Sequence, residues 1–431
     1  MSRSIFSRRR FLKIAGGTIF TLAGGCALVS LPLFPEALKP SGQKTEDAAT
    51  DVRYLRQIIT ADSRSSRTIM WQSMTAQDNA KVIWRPCGSQ NLTVISAPGE
   101  SFTDDAVRVY LHTAAINGLD PGQRYEYCVR CGPAETKWQP LPLDDGSAFK
   151  MLIFPDSQSN DYSDWKNLAQ KAARQNSDAA LFTNLGDLVD NGEDHTQWNA
   201  WFDALHGIIS RMPLAPVMGN HETYNRQWKV RLPQAYRQEF VLPDNGSPVF
   251  SRYYYSFDYG EVHFCVLNTQ WDETEAFQPG LLAAQQQWVA KDMSQSLKKW
   301  KIILMHKDVL TYGMRGHPER LPGISDAGRA FMPLFDTLGI DLVLSAHLHT
   351  YRNRGHIHNF QRSRHGPVYI LAGVAGNVRY PGLWLRHELD QIVSPQPETD
   401  NYLTLTAAAD ELRLRCFLPD GTPIDDVRLE K

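Results

Sequence analysis

The run Ala179-Ala180-Leu181-Phe182-Thr183-Asn184-Leu185-Gly186-Asp187-Leu188-Val189-Asp190-Asn191-Gly192 sets an apolar stretch directly against Gly-Asp. Such a stretch reads as a buried β-strand, and the Gly-Asp reads as the loop at its end. A carboxylate there sits at one edge of a sheet, within reach of a ligand. The arrangement recurs along the chain. Phe149-Lys150-Met151-Leu152-Ile153-Phe154 runs into Pro155-Asp156-Ser157-Gln158, and Ile302-Ile303-Leu304-Met305 runs into His306. Gly219-Asn220-His221-Glu222 and Ser345-Ala346-His347-Leu348-His349 complete the set. A lone GD or HxH carries little weight. The ordered set is a specific series of oxygen and imidazole ligands.

Outward from these motifs, strands are expected at Val262–Leu267, Lys301–Met305, Asp341–Leu344 and Pro367–Ala372, and helices at Trp165–Arg174, Leu281–Ser294 and Asp326–Leu338. This alternation predicts an α/β (α+β) layered domain over residues 146–431 with polar residues at its strand ends. Residues 51–145 read differently. Thr68–Trp71, Lys81–Trp84, Leu92–Ile95, Val107–Leu111 and Arg124–Val129 are short β-rich runs separated by turns. They suggest an all-β sandwich with no catalytic cluster, closed by a joint at Pro140–Asp145. Tyr224, Tyr312 and Trp384 are candidate cleft residues; His263, His356, His358 and His365 default to surface or packing roles.

Composition bounds the rest. The chain has 431 residues, 42% hydrophobic and 21% charged, with 29 Gly and 25 Pro, which excludes a collagen, a coiled coil or a largely disordered chain. Residues 1–35 hold five basic residues (Arg3, Arg8, Arg9, Arg10, Lys13) and no acidic one, leaving 40 basic against 47 acidic residues in the remainder. That body has no basic stripe for nucleic acid, so an anionic substrate needs a local positive site such as a metal. Cys128-Val129-Arg130-Cys131 has zinc-like spacing without a second pair nearby, and a disulfide among Cys87, Cys128 and Cys131 is left open.

The ordered motifs resemble the calcineurin-like metallophosphoesterase superfamily. The flanks resemble its purple acid phosphatase-like branch: Asn117–Tyr127 is similar to that branch's fibronectin-like N-terminal module, and Tyr255–Phe264 and Ala346–Arg352 to its catalytic domain. The resemblance implies a four-layer sandwich and two metal ions, divalent or trivalent (iron, manganese or zinc). It implies that Asp187 bridges them, that Asp156, His349 and Gln158 hold the first, and that Asn220, His306 and His347 hold the second. It further implies that a hydroxide on the pair attacks phosphorus in line, with His221 as general acid or phosphoryl donor and Arg352 as a phosphate contact. Three positions depart from the branch. Asp190 replaces the Tyr that colours the ferric ion, so no purple colour is expected. Gln158 stands where the superfamily usually has His, and Lys307-Asp308 where many relatives have a Pro.

Ser7-Arg8-Arg9-Arg10-Phe11-Leu12-Lys13, followed by an apolar run from Ile14 to about Pro35, resembles a twin-arginine export signal. An uncleaved membrane anchor and a lipoprotein site at Cys26 are the alternatives. The expected organisation is residues 1–35 signal, 36–50 linker, 51–145 sandwich and 146–431 catalytic domain. The expected function is an exported binuclear-metal hydrolase of phosphate esters, located in the periplasm or cell envelope. It would meet the export machinery and a small phosphate ester, and the membrane only if the signal persists. The alternatives are a phosphodiesterase or phospholipase-like enzyme at the membrane surface and a non-catalytic envelope binding protein with a degenerate metal site.

Overall fold

Period-2 alternation along residues 67–131 builds two antiparallel sheets. The computed structural model describes residues 52–431. The basic segment and apolar run of residues 1–35, and every export, anchor or lipoprotein reading placed on them, lie outside the described residues. The first sheet has the order Arg53–Ile58, Arg67–Ser73, Val107–Ile116, Glu100–Asp104. In the second, Tyr125–Cys131 pairs with Lys81–Pro86, which pairs with Thr93–Ser96; Ala134–Glu135 and Gln139–Leu141 also pair with Tyr125–Cys131. Ile69, Trp71 and Ile116 from one sheet and Val82, Tyr127 and Val129 from the other share one buried core, as inward-facing residues of a sandwich do.

Two cysteine readings that the sequence left open are answered in this region. Cys128 and Cys131 lie on one strand at an odd offset, so their side chains point to opposite faces and cannot close on one metal. The disulfide left open among Cys87, Cys128 and Cys131 is not formed between any two of the three. The joint at Pro140–Asp145 is fastened to the first sheet of the sandwich. Its start belongs to the Gln139–Leu141 strand, Gln57 Nε2 donates to Pro140 O (2.8 Å) and Arg67 Nη2 donates to Pro142 O (2.9 Å). Fully buried Arg56 pairs with Glu239 at 2.7 Å, and Gln72 Nε2 donates to the other Glu239 oxygen at 2.6 Å. Removing one partner of such a pair would leave an uncompensated buried charge, so the contact fixes how the sandwich lies on residues 234–239.

Beyond residue 148 two sheets face each other. One has the order Leu181–Asn184, Phe149–Phe154, Tyr402–Ala407, Glu411–Phe417, Pro423–Glu430, with only the first pair parallel. The other runs Tyr255–Tyr259, Val262–Val266, Trp300–Leu304, Leu342–Ser345, Val368–Ala372, Tyr351–His358, Gln361–Arg362, with Ile392–Val393 added beside Tyr351–His358. Its Val262–Val266, Trp300–Leu304, Leu342–Ser345 and Val368–Ala372 strands are parallel neighbours. Phe149 spans the gap between the sheets, 6.3 Å from Phe264 and 4.8 Å from Tyr259. Val262–Val266 and Val368–Ala372 are buried at every position, as parallel strands covered on both faces are.

Helices cover the outer faces. Ser163–Gln175 buries Trp165, Leu168, Ala169 and Ala172, one stripe of a 3.6-residue period, and its Trp165 ring lies 5.1 Å from Phe154. Asp326–Leu338 begins at Ser325, whose hydroxyl accepts the Gly328 N–H, and ends at Gly339 with φ of 67°. The C-terminal Tyr402–Ala407, Glu411–Phe417 and Pro423–Glu430 strands and the His195–Ala204 helix were not anticipated from sequence. Among the described residues no helix is long and apolar enough to cross a membrane.

His263, given a surface or packing role from sequence, is held between two carboxylates: Nδ1 lies 2.7 Å from Asp258 and Nε2 2.9 Å from Asp292. Burial lowers its pKa, but hydrogen bonds to Asp258 and Asp292 outweigh burial and raise it from 6.5 to about 9. The resulting stabilisation is fully present below the unfolded value near 6.5 and is lost as pH rises through 9. Its size is on the order of 3 kcal/mol. Denaturant titrations should therefore show a loss of stability between pH 6.5 and 9 that His263→Gln flattens. An unchanged pH profile in the variant would remove His263 as its source.

Candidate metal centre

The parallel strands of both sheets deliver their carboxyl ends to one place. Asp156 follows Phe149–Phe154 and Asp187 follows Leu181–Asn184, both from the first sheet. His306 follows Trp300–Leu304 and His347 follows Leu342–Ser345, both from the second. Asn220 and His221 come from a segment alongside Leu181–Asn184, where Ala215 N donates to Phe182 O and Val217 N to Asn184 O, each at 2.9 Å.

Ligand-type atoms gather there in two groups, each within 4.8 Å: Asp187, His306 and His347, and Asp156, Asp187 and His349. Asp187 is common to both. Asn220 joins the first group, with its Oδ1 3.3 Å from His306 Nε2, and Gln158 joins the second, with its amide nitrogen 3.4 Å from His349 Nε2.

The hydrogen bonds decide where protons are. His306 Nδ1 donates to Leu185 O (2.8 Å), so in the neutral ring Nε2 carries a lone pair, facing Asp187 Oδ2 at 3.1 Å. His349 Nδ1 likewise donates to Val378 O, leaving its Nε2 lone pair 3.2 Å from Asp156 Oδ2. The Gln158 Oε1 atom is buried with no hydrogen-bond partner. Acceptors facing acceptors, plus an orphaned amide oxygen, are the donor set that a cation satisfies, so these residues fit metal ions. A proton can fill the same role: burial lowers the His306 pKa, but Asp187 reverses this and brings it to about 9. Burial would raise Asp187, yet the imidazoles of His306, His221 and His347 hold its carboxyl far below the usual carboxylate range.

The loops are tightly fastened. Glu222 accepts from the N–H groups of Asp187 (3.0 Å), Leu188 (2.8 Å), Val189 (3.4 Å) and Gly219 (2.7 Å), tying the Gly-Asp loop to the Gly-Asn-His-Glu loop. A Cβ on Gly219 would lie 2.1 Å from Asp187 N, so no other residue fits that crossing. Asp187, His347 and His349 all have positive φ, at 49°, 80° and 53°. Such strain in non-glycine residues persists only where the surroundings over-determine it.

His347 and His349 do not lie on an extended segment, in which residues two apart would point the same way. Their left-handed backbone turns the chain, and the two rings enter different groups. His221 is 13% exposed; Nδ1 donates to Asp190 O (2.6 Å), and Nε2 lies 3.9 Å from Asp187 Oδ2. Asp190 thereby orders His221 through its backbone. Arg352 is not brought to the cluster. It is 2% exposed, and its guanidinium is engaged by Asp390 (3.3 Å), Trp384 O (3.3 Å) and Thr350 Oγ1 (3.2 Å), so a phosphate contact is not available to it. Lys307 is neutralised by Glu273 at 2.8 Å. Tyr312 is buried against Asp390 and Arg354, and Trp384 is 5% exposed, so of the three candidate cleft aromatics Tyr224 alone sits at the site, 5.7 Å from the His221 ring. Sequence reading gave no role to Glu222, although it lies inside a quoted motif. It also missed Trp228 and Tyr380, whose rings lie 5.7 Å from His221 and 4.9 Å from His349.

Paired sheets between helices, with carboxylate, amide and imidazole groups converging at the strand ends around one shared Asp, define the class of metallophosphoesterase-type domains. The chain carries a calcineurin-like phosphoesterase domain, matched over residues 149–351, preceded by a purple acid phosphatase N-terminal domain, matched over residues 54–141. Its homologues are purple acid phosphatases. Purple acid phosphatase 23 of Arabidopsis thaliana is 26% identical over 306 residues, covering 62% of this chain and 63% of that one. Purple acid phosphatase 15 of the same plant is 27% identical over 208 residues, covering 47% of this chain and 36% of that one. The chain thus spans less than two thirds of either relative. In structure, a purple acid phosphatase from yellow lupin (Lupinus luteus) seeds superposes with a TM-score of 0.70 at 18% identity, covering 88% of this chain and 74% of that one. PhoD superposes with a TM-score of 0.62 at 12% identity, covering 90% of each. These two likenesses are of fold.

Proposed function

We propose that this chain is an exported hydrolase of phosphate esters that works on two metal ions sharing Asp187. The observation that supports it is the set of lone-pair atoms facing one another at 3.1–3.3 Å around Asp187, Asp156, His306, His349 and Asn220. Asp156, Gln158 and His349 would hold one ion, and Asn220, His306 and His347 the other. When bound, the pair would neutralise phosphoryl charge and activate water. The chain's own part is positioning and proton handling. His347 N donates to Asp156 Oδ1 and His221 N to Asp187 Oδ1, each at 2.8 Å, so each carboxylate keeps its other oxygen for a cation. His221 has Nδ1 donating to the Asp190 carbonyl, so Nε2 gives a proton to the leaving oxygen from the imidazolium form and is left with a lone pair afterwards. The same reading assigns residues 1–35 to a twin-arginine signal, 36–50 to a linker, 51–145 to the sandwich and 146–431 to the catalytic domain, and places the mature protein in the periplasm or cell envelope.

Protein purified from the exported fraction without added metal should hold about two transition-metal ions per chain by elemental analysis. Chelation should abolish turnover of 4-nitrophenyl phosphate, and re-addition should restore it. Tight retention of phosphate esters without turnover, at one ion or none, would replace the hydrolase by a binding protein.

A further inference from the structure

The loop beside His221 carries a feature that the chemistry above does not use. Tyr224 and Val230 pair across a tight turn, and Trp228 N donates to Asn225 O at 2.8 Å. Asn225 Oδ1 accepts from the N–H groups of Gln227 (3.0 Å) and Lys229 (2.8 Å). In this braced turn Trp228 has φ of 59°, a left-handed conformation that bulky residues rarely adopt, and it is 42% exposed. Its ring stands 5.7 Å from the His221 ring at 86° and 6.0 Å from buried Tyr224. The backbone bonds that brace the turn do not involve the indole, so holding the turn does not account for a large apolar ring here. What the turn achieves is to set an exposed aromatic ring next to the imidazole that, on the proposed reading, meets the leaving oxygen.

We propose that Trp228 is the platform on which a planar aromatic leaving group of the ester stacks, so that aryl or nucleoside phosphates are preferred over alkyl phosphates. The proposal rests on the hydrolase reading. Aromatic rings attract at centroid separations of about 4.5–7 Å, and the Trp228 ring, 5.7 Å from the His221 ring, is placed to meet a ring carried by an ester oxygen at His221.

The test compares kcat/KM for phenyl phosphate, adenosine 5′-monophosphate and glycerol 2-phosphate in the metal-loaded wild type, Trp228→Ala and Trp228→Phe. Ratios between substrates within one protein cancel any general effect on His221. The phenyl-to-glycerol ratio should fall about tenfold in Trp228→Ala, chiefly through KM, and Trp228→Phe should recover most of it. Loss with phenyl phosphate alone would define a ring bonded directly to the ester oxygen, and loss with the nucleotide as well would extend the platform to a nucleobase. An unchanged ratio in Trp228→Ala, or a Phe variant no better than Ala, would overturn the proposal. If the wild type hydrolyses none of the three, the hydrolase reading fails. Calorimetric affinities for the same compounds then carry the test: a phenyl preference lost in Trp228→Ala supports the platform, and equal affinities in the wild type refute it.

Discussion

On the proposed two-metal reading, Asp187→Asn should abolish metal binding and lower kcat for 4-nitrophenyl phosphate by about a thousandfold or more, while leaving the protein folded. Asp187 is the one residue common to both ligand groups. Its Oδ1 accepts the His221 N–H at 2.8 Å, and its Oδ2 faces His306 Nε2 at 3.1 Å. Asparagine keeps the shape and the first of these bonds. In place of the second oxygen it offers an N–H, which donates to the His306 lone pair and satisfies it without a cation. The substitution thus removes a unit of negative charge and the oxygen that would face a cation. Elemental analysis, turnover and thermal melting of the same preparation check the three parts. Two ions retained with wild-type turnover would take Asp187 out of the shared position.

Glu222→Ala should be the most destabilising change at the site although Glu222 is not among the proposed ligands. Four backbone N–H groups donate to its carboxylate, from Asp187, Leu188, Val189 and Gly219. Glu222 is 1% exposed, so alanine would leave buried donors without partners. A loss of roughly 3–5 kcal/mol follows, on the order of 5 °C in melting temperature. Turnover should fall as well, because the loops bearing Asp187 and His221 lose their common anchor. Glu222→Gln has one oxygen for these four donors and turns an amide N–H toward the rest, so it should rescue little. Melting within a degree or two of wild type would show that the two loops are held by other means.

The ligand types and their order were legible in the sequence because each follows a local rule. An apolar run makes a buried strand, and the polar residue after it falls at the sheet edge, as with Asp156, Asp187, His306 and His347. The helix boundaries at Asp326 and Leu338 were legible for the same reason, since Ser325 and Gly339 act on their immediate neighbours. The C-terminal strands were less legible. Tyr402–Ala407 is buried in all but one of its six positions and so lacks the simple inside-outside alternation that marks a half-exposed strand.

Sequence by itself determined the class of chemistry: hard oxygen and imidazole groups at strand ends, with no cysteine among them. Tertiary structure alone decided how those groups are shared. His347 and His349, two residues apart, part company because a left-handed backbone turns each ring to a different group. Arg352, three residues beyond His349, is taken by Asp390 and withdrawn from the site. Trp228, with no motif to mark it, is set beside His221 by the turn braced on Asn225. The physical reason is distance: local patterning places a side chain at the end of its own strand. Only the packing of one sheet on the other brings the ends of strands far apart in sequence within the few ångströms over which lone pairs, charges and cations act.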